Sequence, residues 1–456
     1  MSEPQEIGQL VTAVFRAWDA AGIDFLVLRN YEGLPDCTTN DIDVLVAPEQ
    51  IRRAEQKLLA AAEEAGFCLH NRAEFATLAI YLTNRESNAQ AHFDLFTALK
   101  WRGFDYLYCG RFLGRRVNRG LFSVPHPADE AATNLLSFMI YTGKVKPKYM
   151  PSIAAGFRAE PALATGLLAE TYGEAHATFL VAAGAQEQWA AIENATGALR
   201  RALILRQLTR HPWRTMRSLV TDAIRLLRRF LRPPGLTVVL CGADGCGKST
   251  AARAIVEGLS GTFSLPKGRH FHWKPPLFSA KRRAARGPVS DPHGEAVRNP
   301  VASFCYFLFH WVEFFLGSQL SFRPVTFRGG LVLVDRYYYD FFVDQQRYRL
   351  QVPQGIVRLG YTLLKKPDLV ILLDAPAEVL QSRKREVPLA ETERQCRAYR
   401  ALVESLSNGR VINAAQPVEK VGADINRAIL DFMVQRTRER QGSELGRLLS
   451  STQPGS

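Results

Sequence analysis

The chain has 456 residues, of which 47% are hydrophobic and 22% charged, so it has enough apolar material for two or three globular domains. Its seven cysteines are scattered and form no C-x-x-C pair, which argues against a disulfide framework and a zinc site and favours a reducing cytoplasm. The formal net charge of +14 favours phosphates, nucleic acid or an anionic membrane as partners. The first residues lack the basic and apolar regions of a signal peptide, so secretion is not expected.

The N-terminal part of the chain has the pattern of a small α/β domain, with a helix predicted over residues 7–21 and strands over residues 24–28 and 42–46. Asp41 and Asp43 are two residues apart, so the period of a strand puts both carboxylates on one face. A third acid, Asp94, lies in another short apolar run. Three carboxylates on adjacent strands would hold one or two Mg²⁺ ions for nucleotidyl transfer, and the alternative is a set of exposed acids at a strand edge.

Residues 28–35 (LRNYEGLP) and 40–46 (NDIDVLV) resemble the nucleotidyltransferase superfamily, whose members carry two aspartates on one strand and a third on a later strand. The resemblance implies that the three aspartates bind metal. Arg29 and Asn30 stand where active members have a Gly-Ser turn. A domain that only senses a ligand therefore stays open as the alternative.

Helical spacing dominates residues 126–200 and predicts a helical extension packed on the first domain. The next segment, residues 201–232, contains nine arginines and one acid, Asp222. Apolar side chains interleave with these arginines as in a basic amphipathic helix: Leu219, Ile224, Leu227 and Leu231. Such a helix would lie on anionic lipid or grip a phosphate-rich partner. We favour the alternative, a connector helix that packs its apolar side on the neighbouring domain.

The sequence GADGCGKS at residues 242–249 fits the G-x-x-x-x-G-K-S pattern of a loop that cradles the phosphates of a nucleoside triphosphate. An apolar run precedes it and a helical pattern follows it, which is the order that the motif requires. Lys248 would reach the β- and γ-phosphates, and Ser249 would bind Mg²⁺. We therefore predict ATP as a cofactor, bound by seven residues: Gly242, Asp244, Gly245, Gly247, Lys248, Ser249 and Thr250.

A long loop is predicted over residues 268–300, with disorder at residues 280–288. Loops beside a phosphate site commonly bind the acceptor, so four side chains are candidates for that contact: Arg269, His272, Trp273 and Lys274. The stretch 301–320 is almost continuously apolar. It contains the polar residues His310 and Glu313, and four aromatic residues repeat at helical spacing: Phe307, Trp311, Phe314 and Phe315. These features favour a buried core helix over a transmembrane helix.

Two further apolar runs, residues 331–335 and 367–374, end in aspartate. The first fits the Walker-B pattern, in which Asp335 would hold Mg²⁺ opposite Ser249. Together with the run before residue 242, these strands predict a parallel sheet covered by helices on both faces. The RYYYD sequence after Asp335 then lies at the carboxyl end of a strand, where parallel sheets bind ligands.

Basic residues at positions 383–385 end a predicted helix where a mobile lid would start, although ordinary helix capping is the alternative. The last strand is predicted at residues 410–413 and the last helix at residues 421–436. The polar tail from Gln441 is predicted to be disordered.

The P-loop, the DRY sequence at residues 335–337, the PDL sequence at residues 367–369 and the basic lid together resemble the thymidylate kinase family over residues 235–438. The resemblance implies ATP, Mg²⁺ and transfer of a phosphoryl group to dTMP or a related monophosphate. It places Arg336 on the acceptor phosphate and residues 383–385 in the lid. The catalytic residues that it implies are Lys248, Asp335, Arg336, Arg383 and Arg385.

The acceptor side departs from that family, because HWKPP at residues 272–276 replaces the usual acceptor loop and Asp340 replaces a serine. The fusion of the two domains is also similar to bacterial proteins encoded near surface-polysaccharide genes. A sugar or polyol acceptor is therefore one alternative. The others are nucleotidyl transfer by the first domain and an ATP-dependent scaffold held at the membrane by residues 201–232.

The predicted architecture is α/β throughout, with a small nucleotidyltransferase-like domain followed by a P-loop NTPase domain. The expected partners are ATP and a small-molecule acceptor, with no nucleic acid, an oligomer allowed, and a cytoplasmic location that extends to the inner membrane face. The predicted divisions are residues 1–125 (first domain), 126–200 (helical extension), 201–234 (Arg-rich connector), 235–438 (P-loop domain) and 439–456 (disordered tail).

Overall fold

Two units divide the chain in the computed structural model: unit 1 is Met1–Leu231 and unit 2 is Arg232–Ser456. The structure describes residues 3–36, 41–259, 261–263, 265–274 and 296–451. The predicted disorder at residues 280–288 lies outside the described residues. The domain limits predicted from the sequence stay predictions.

Unit 1 contains a five-stranded mixed sheet in the order β1-β2-β5-β4-β3 and two small hairpins. β1 runs antiparallel to β2, β2 runs parallel to β5, and the remaining pairs are antiparallel. Both strands predicted near its start are confirmed as β1 and β2. The strands are β1 Phe25–Val27, β2 Ile42–Val46, β3 Phe67–Glu74, β4 Leu78–Asn84, β5 Gln90–Phe96, β6 Leu99–Trp101, β7 Phe104–Leu107, β8 Val117–Asn118 and β9 Ser123–Val124.

The helices of unit 1 form two groups around separate apolar clusters. α1 and α2 cover the sheet, where the indole of Trp18 donates a hydrogen bond to the carbonyl of Ala54 at 2.8 Å. The helical region predicted over residues 126–200 is present as α4 to α8, and α9 lies in the segment predicted to be the connector. The helices are α1 Glu3–Ala20, α2 Ile51–Glu64, α3 Phe112–Arg115, α4 Pro127–Thr142, α5 Met150–Ala159, α6 Pro161–Tyr172, α7 Glu174–Ala185, α8 Trp189–Arg210 and α9 Pro212–Leu231.

The sheet of unit 2 is parallel throughout, in the order β11-β12-β10-β13-β14. Its central strands are apolar runs that are buried at every position, as expected for a sheet with helices on both faces. The prediction of a parallel sheet is thus confirmed. β11 was not predicted, and its residues 268–272 lie in the stretch predicted to be a loop. The strands are β10 Leu236–Cys241, β11 Leu265–His272, β12 Gly330–Asp335, β13 Leu369–Asp374 and β14 Gly409–Asn413.

Helices cover both faces of this sheet. Alternate residues of β10 belong to two different apolar clusters, one on each face. Val238 packs with Ile255 and Ile425 on one face, and Val239 packs with Phe307 and Val357 on the other. The helices are α10 Lys248–Gly258, α11 Pro300–Gly317, α12 Arg323–Phe327, α13 Asp340–Val343, α14 Gln354–Thr362, α15 Ala377–Arg383, α16 Leu389–Glu404 and α17 Val418–Ser451.

Two expectations about the helices of unit 2 are corrected. α17 continues to Ser451, where a disordered tail was expected from Gln441, because good helix formers such as Glu, Leu and Arg recur in that polar sequence. α11 is only partly buried, since its apolar residues occur on all sides and only one side can face the sheet. Its exposed apolar side chains are Val301, Phe304, Tyr306, Leu308, Phe309 and Phe315.

Pro300–Phe327 is a helical stretch long and apolar enough to cross a membrane by length and composition alone, and 33% of its most apolar window is buried. Core helices of soluble proteins meet the same criterion. In this helix Glu313 is fully buried and pairs with Lys274 of the same unit, which shows that this part of the helix packs against the rest of unit 2.

Gly156→Ala should destabilise unit 1, because a Cβ at this position would lie 2.5 Å from the carbonyl oxygen of Pro127, where α5 crosses α4. We expect a loss of about 1–3 kcal/mol, the usual effect of overpacking. Gly166→Ala is the matched control, since a Cβ there meets no atom within 4 Å and should stabilise α6 by up to about 1 kcal/mol. Urea unfolding followed by circular dichroism measures both changes, and equal midpoints for the two variants would contradict the packing.

Candidate active site

The P-loop connects β10 to α10, and Lys248 is the first residue of that helix. Its side chain is buried, and the ammonium group donates hydrogen bonds to the carbonyl oxygens of Gly242 at 2.9 Å and Ala243 at 3.0 Å. The positive charge therefore lies inside the curve of the loop. The N-terminal end of α10 adds unpaired backbone N–H groups to the same place, which is the arrangement that binds phosphate.

Two glycines of the loop have no room for a side chain. At Gly242, with φ of 143°, a Cβ would lie 2.6 Å from the sulfur of Cys246 and 2.7 Å from the carbonyl oxygen of Leu373. At Gly245, with φ of 84°, it would lie 2.8 Å from the carbonyl oxygen of Leu380. The backbone of the loop is thus held close to β13 and α15, as a phosphate-binding turn requires.

Asp335 ends β12, the strand beside β10, so its carboxylate lies at the same sheet edge as the P-loop. His270 Nε2 lies 3.1 Å from one carboxylate oxygen, and His272 Nδ1 lies 3.4 Å from the other. Burial raises the pKa of Asp335, but the contacts with the two imidazoles outweigh it and hold that pKa well below its usual range. The carboxylate is therefore ionised at neutral pH.

The residues predicted to hold Mg²⁺ at this site have suitable chemistry. Asp335 is nearly fully buried, and its Oδ1 atom makes no hydrogen bond of good geometry with the described residues. Ser249 is exposed in the first turn of α10 and offers a hydroxyl oxygen. Mg²⁺ prefers such oxygen ligands, so the two side chains fit the ion.

Arg336 lies between two carboxylates, those of Asp244 in the P-loop and Asp340, the latter at 3.3 Å. Its backbone has φ of 70° and its amide donates to the carbonyl of Leu240, which turns the chain sharply at the end of β12. Burial lowers the pKa of Arg336, but the carboxylates outweigh that effect and keep the guanidinium charged. The arginine thus connects the P-loop to the strand that carries Asp335.

Asp340 is completely buried and has a partner for each carboxylate oxygen besides Arg336. The hydroxyl groups of Tyr348 and Tyr399 donate hydrogen bonds to its two oxygens, both at 2.6 Å. A buried carboxylate with this many donors is a structural anchor. The aspartate that replaces the serine of thymidylate kinases therefore serves to position Arg336.

Arg347 is a member of the site that sequence reasoning missed. It pairs with Asp244, and it also lies 3.4 Å from Asp344 and 3.3 Å from Glu386. Burial raises the pKa of Asp244, but Arg336 and the other cations lower it well below its usual range. Two guanidinium groups therefore converge on a carboxylate of the P-loop.

Of the three basic residues predicted to form the lid, the structure brings Lys384 next to the loop. Arg383 donates a hydrogen bond to the carbonyl of Ala414 at 3.0 Å, and Arg385 is exposed in the turn after α15. Lys384 lies beside the loop: a Cβ added to Gly245 would be 3.4 Å from the Cβ of Lys384. Arg383 is thus held by the segment after β14, and Lys384, whose ammonium group pairs with Glu386 at 2.5 Å, is the basic residue next to the phosphate-binding turn.

The predicted acceptor-binding residues separate into two groups. Arg269 is exposed, and His272 contacts Asp335. Trp273 and Lys274 are buried, which corrects the expectation that they contact the acceptor. The indole stacks on Tyr348 with ring centroids 4.2 Å apart, and the ammonium group pairs with Glu313 of α11.

Unit 1 contains a second cluster, in which ligand atoms of Asp41, His92 and Asp94 lie within 4.8 Å of one another. His92 Nδ1 lies 2.7 Å from a carboxylate oxygen of Asp41. Burial of the ring lowers the pKa of His92, but the two aspartates outweigh that effect and raise it to about 9. Asp43 is not part of the cluster because Arg29 pairs with it at 2.5 Å. The sequence signal for His92 was its position two residues before Asp94 on the same strand, hence on the same face.

The comparisons with known proteins include several thymidylate kinases. No family model matches the chain. It is 32% identical over 165 residues to a thymidylate kinase of Thermosynechococcus vestitus, which covers 33% of this chain and 65% of that protein. It is 24% identical over 220 residues to a thymidylate kinase of Xanthomonas campestris pv. campestris, with 46% and 88% covered, and 29% identical over 151 residues to one of Prochlorococcus marinus, with 32% and 67% covered.

These relatives support the resemblance to thymidylate kinases at low identity and over part of the chain. The mixed α/β structure, with its five-stranded parallel sheet, is compatible with a P-loop fold. The resemblance of the first domain to nucleotidyltransferases stays a prediction.

Asp340→Ala should destabilise unit 2 by about 3–5 kcal/mol, because it leaves the buried Arg336 without one of its two carboxylates. Tyr399→Phe removes only one hydrogen bond to Asp340 and should cost about 1–3 kcal/mol. Thermal unfolding of both variants and of the wild type shows whether Asp340→Ala lowers the stability more than Tyr399→Phe does. A wild-type midpoint for Asp340→Ala would show that this carboxylate does not anchor Arg336.

Proposed function

We propose that the chain is an ATP- and Mg²⁺-dependent kinase that phosphorylates dTMP or a related small monophosphate, with unit 2 as its catalytic part. The observation that carries the proposal is the placement of Lys248 and Asp335 at the same edge of a parallel sheet, on the P-loop and on the neighbouring strand. The similarity to proteins named thymidylate kinase supports this reaction class.

On the donor side, the residues act by position and charge. Lys248 would turn its ammonium group from the loop carbonyls to the β- and γ-phosphate oxygens, and the backbone N–H groups of the loop would bind the same phosphates. Ser249 and Asp335 would hold Mg²⁺, which neutralises charge as the phosphoryl group is transferred. Lys384 is the lid residue that we assign to the transferred group, because it lies next to Gly245.

On the acceptor side, Arg336 and Arg347 converge on Asp244. Two guanidinium groups are suited to bind a phosphate through paired hydrogen bonds. An acceptor phosphate would therefore replace the carboxylate of Asp244 as the partner of these two arginines. This favours a phosphorylated acceptor over a simple polyol, and a sugar phosphate would satisfy the same pair.

Two further expectations belong to this proposal. We propose a cytoplasmic location, since the six cysteines in the described part of the chain are all unpaired. The second expectation is that an oligomer is allowed, since all the residues that we assign to the kinase reaction lie in one chain.

The test is an acceptor screen with purified full-length protein, in which ADP release is measured with dTMP, other nucleoside monophosphates, sugar phosphates, sugars and polyols. Acceptor-dependent ADP release with a monophosphate is the expected result. Lys248→Ala should lower it by at least about 10²–10³-fold, the effect of removing one charge-stabilising donor. Lys420→Ala is the matched control, since Lys420 is exposed on α17.

Wild-type turnover by Lys248→Ala would overturn the proposal. ATP binding without acceptor-dependent turnover would favour a nucleotide-dependent scaffold. A signal confined to unphosphorylated sugars or polyols would keep the kinase and reject the monophosphate.

A second candidate function, metal-dependent nucleotidyl transfer by unit 1, is favoured by the cluster of Asp41, His92 and Asp94. Because Mn²⁺ accepts the same oxygen and imidazole ligands, we expect Asp94→Asn to remove one class of bound Mn²⁺ in an electron paramagnetic resonance titration. Asp19→Asn, which changes an exposed acid on α1, should leave that class intact. If labelled triphosphate is incorporated by the wild type and not by Asp94→Asn, the transfer activity is supported; unchanged Mn²⁺ binding would exclude the metal site.

A further inference from the structure

The helix α9 faces the rest of unit 1 with a mainly polar side, on which one apolar residue, Leu219, meets the turn between β6 and β7. The hydroxyl of Ser218 donates a hydrogen bond to the carbonyl of Gly103 at 2.7 Å, in the turn between β6 and β7. Thr215 is buried and donates to the carbonyl of Gln207 at 3.0 Å. A Cβ on Gly103 would lie 2.9 Å from the side chain of Leu219 and 3.6 Å from that of Asp222, which shows how closely the helix approaches this turn.

The opposite side of α9 is an apolar stripe that is exposed to solvent. At about 100° per residue, its members fall on one face of the helix, away from Thr215, Ser218 and Asp222. Their exposed fractions show that the rest of unit 1 leaves them open to solvent: Trp213 87%, Met216 56%, Val220 50%, Ile224 46%, Leu227 57% and Leu231 65%. Within unit 1 the apolar side is therefore not packed, and the expectation that it packs on a neighbouring domain stays a prediction.

An inverted helix of this kind needs a partner for its apolar stripe. Helices normally bury the apolar side, and a contiguous exposed apolar strip commonly marks an interaction surface. The stripe runs along a 20-residue helix, which is about 30 Å long. Its length and narrow width match a helix lying flat on a surface.

The charges beside the stripe identify the surface. Arg217 and Arg228 are exposed and follow the stripe on one margin, within roughly 60° of Trp213 around the helix. Asp222 is the one acid of residues 201–232, and it faces the packed side, where it pairs with Arg225. The exposed side of α9 therefore presents apolar groups and cations without a compensating acid.

We propose that α9 docks unit 1 on an anionic lipid bilayer. The apolar stripe enters the boundary between headgroups and acyl chains, and Arg217 and Arg228 contact lipid phosphates. A second copy of this helix is a poorer occupant, because pairing two stripes would bring like-charged arginine margins together. The proposal concerns a surface of unit 1 and does not depend on the kinase reaction proposed for unit 2.

Vesicle flotation with purified full-length protein tests the docking. The wild type should float with phosphatidylcholine vesicles that contain phosphatidylglycerol and should stay at the bottom with pure phosphatidylcholine. Arg217→Gln with Arg228→Gln should weaken partitioning about 30-fold, since each arginine near an anionic surface contributes about 1 kcal/mol. Arg358→Gln with Arg427→Gln removes the same charge from exposed positions on α14 and α17 and should float like the wild type.

Ile224→Ser with Leu227→Ser tests the apolar contribution, and we expect it to abolish flotation while the circular dichroism spectrum stays that of the wild type. Lys248→Ala should float normally, which separates this surface from the kinase site. The proposal is overturned if the wild type does not bind the anionic vesicles, or if the two arginine pairs have equal effects. It is also overturned if light scattering shows a dimer that Ile224→Ser with Leu227→Ser converts to a monomer, because the stripe would then be a protein interface.

Discussion

The arrangement of the candidate active site depends on one buried guanidinium, that of Arg336. It lies between Asp244 of the P-loop and Asp340 after β12, so a charge interaction connects the loop to the strand that carries Asp335. A buried charge is tolerated only when its partners are complete, and the hydroxyls of Tyr348 and Tyr399 complete those of Asp340. The phosphate-binding loop is consequently held by the ion pair of Asp244 with Arg336 as well as by its connection to the sheet.

Much of unit 2 could be predicted from the sequence because its signals are local. The P-loop motif and the apolar strands β10, β12 and β13 are contiguous patterns that specify backbone geometry directly. β11 was missed because its sequence, LPKGRHFH, contains proline and glycine and has no apolar run. It lies at the edge of the sheet, where such residues are tolerated.

The partners of the site residues could not be predicted, because they are distant in the sequence. Arg347 reaches Asp244 across about a hundred positions, and Lys274 was assigned to the acceptor because its partner, Glu313, lies on a helix far along the chain. In unit 1 the expectation that Asp94 lies on a strand adjacent to that of Asp43 is confirmed, but the sequence did not show that Arg29 pairs with Asp43. Periodicity identifies which side chains share a face, and only tertiary packing decides which of them are already paired.

The contact of β11 with Asp335 sets a limit on how this site could be rebuilt. His270 and His272 hold the carboxylate, and the next two residues fill the core beside Tyr348 and Glu313. Any segment grafted in place of residues 270–274 would therefore remove contacts of the carboxylate that we propose as a metal ligand. The same graft would also remove the side chains that pack on Tyr348 and pair with Glu313, so this short stretch serves the sheet edge and the core at once.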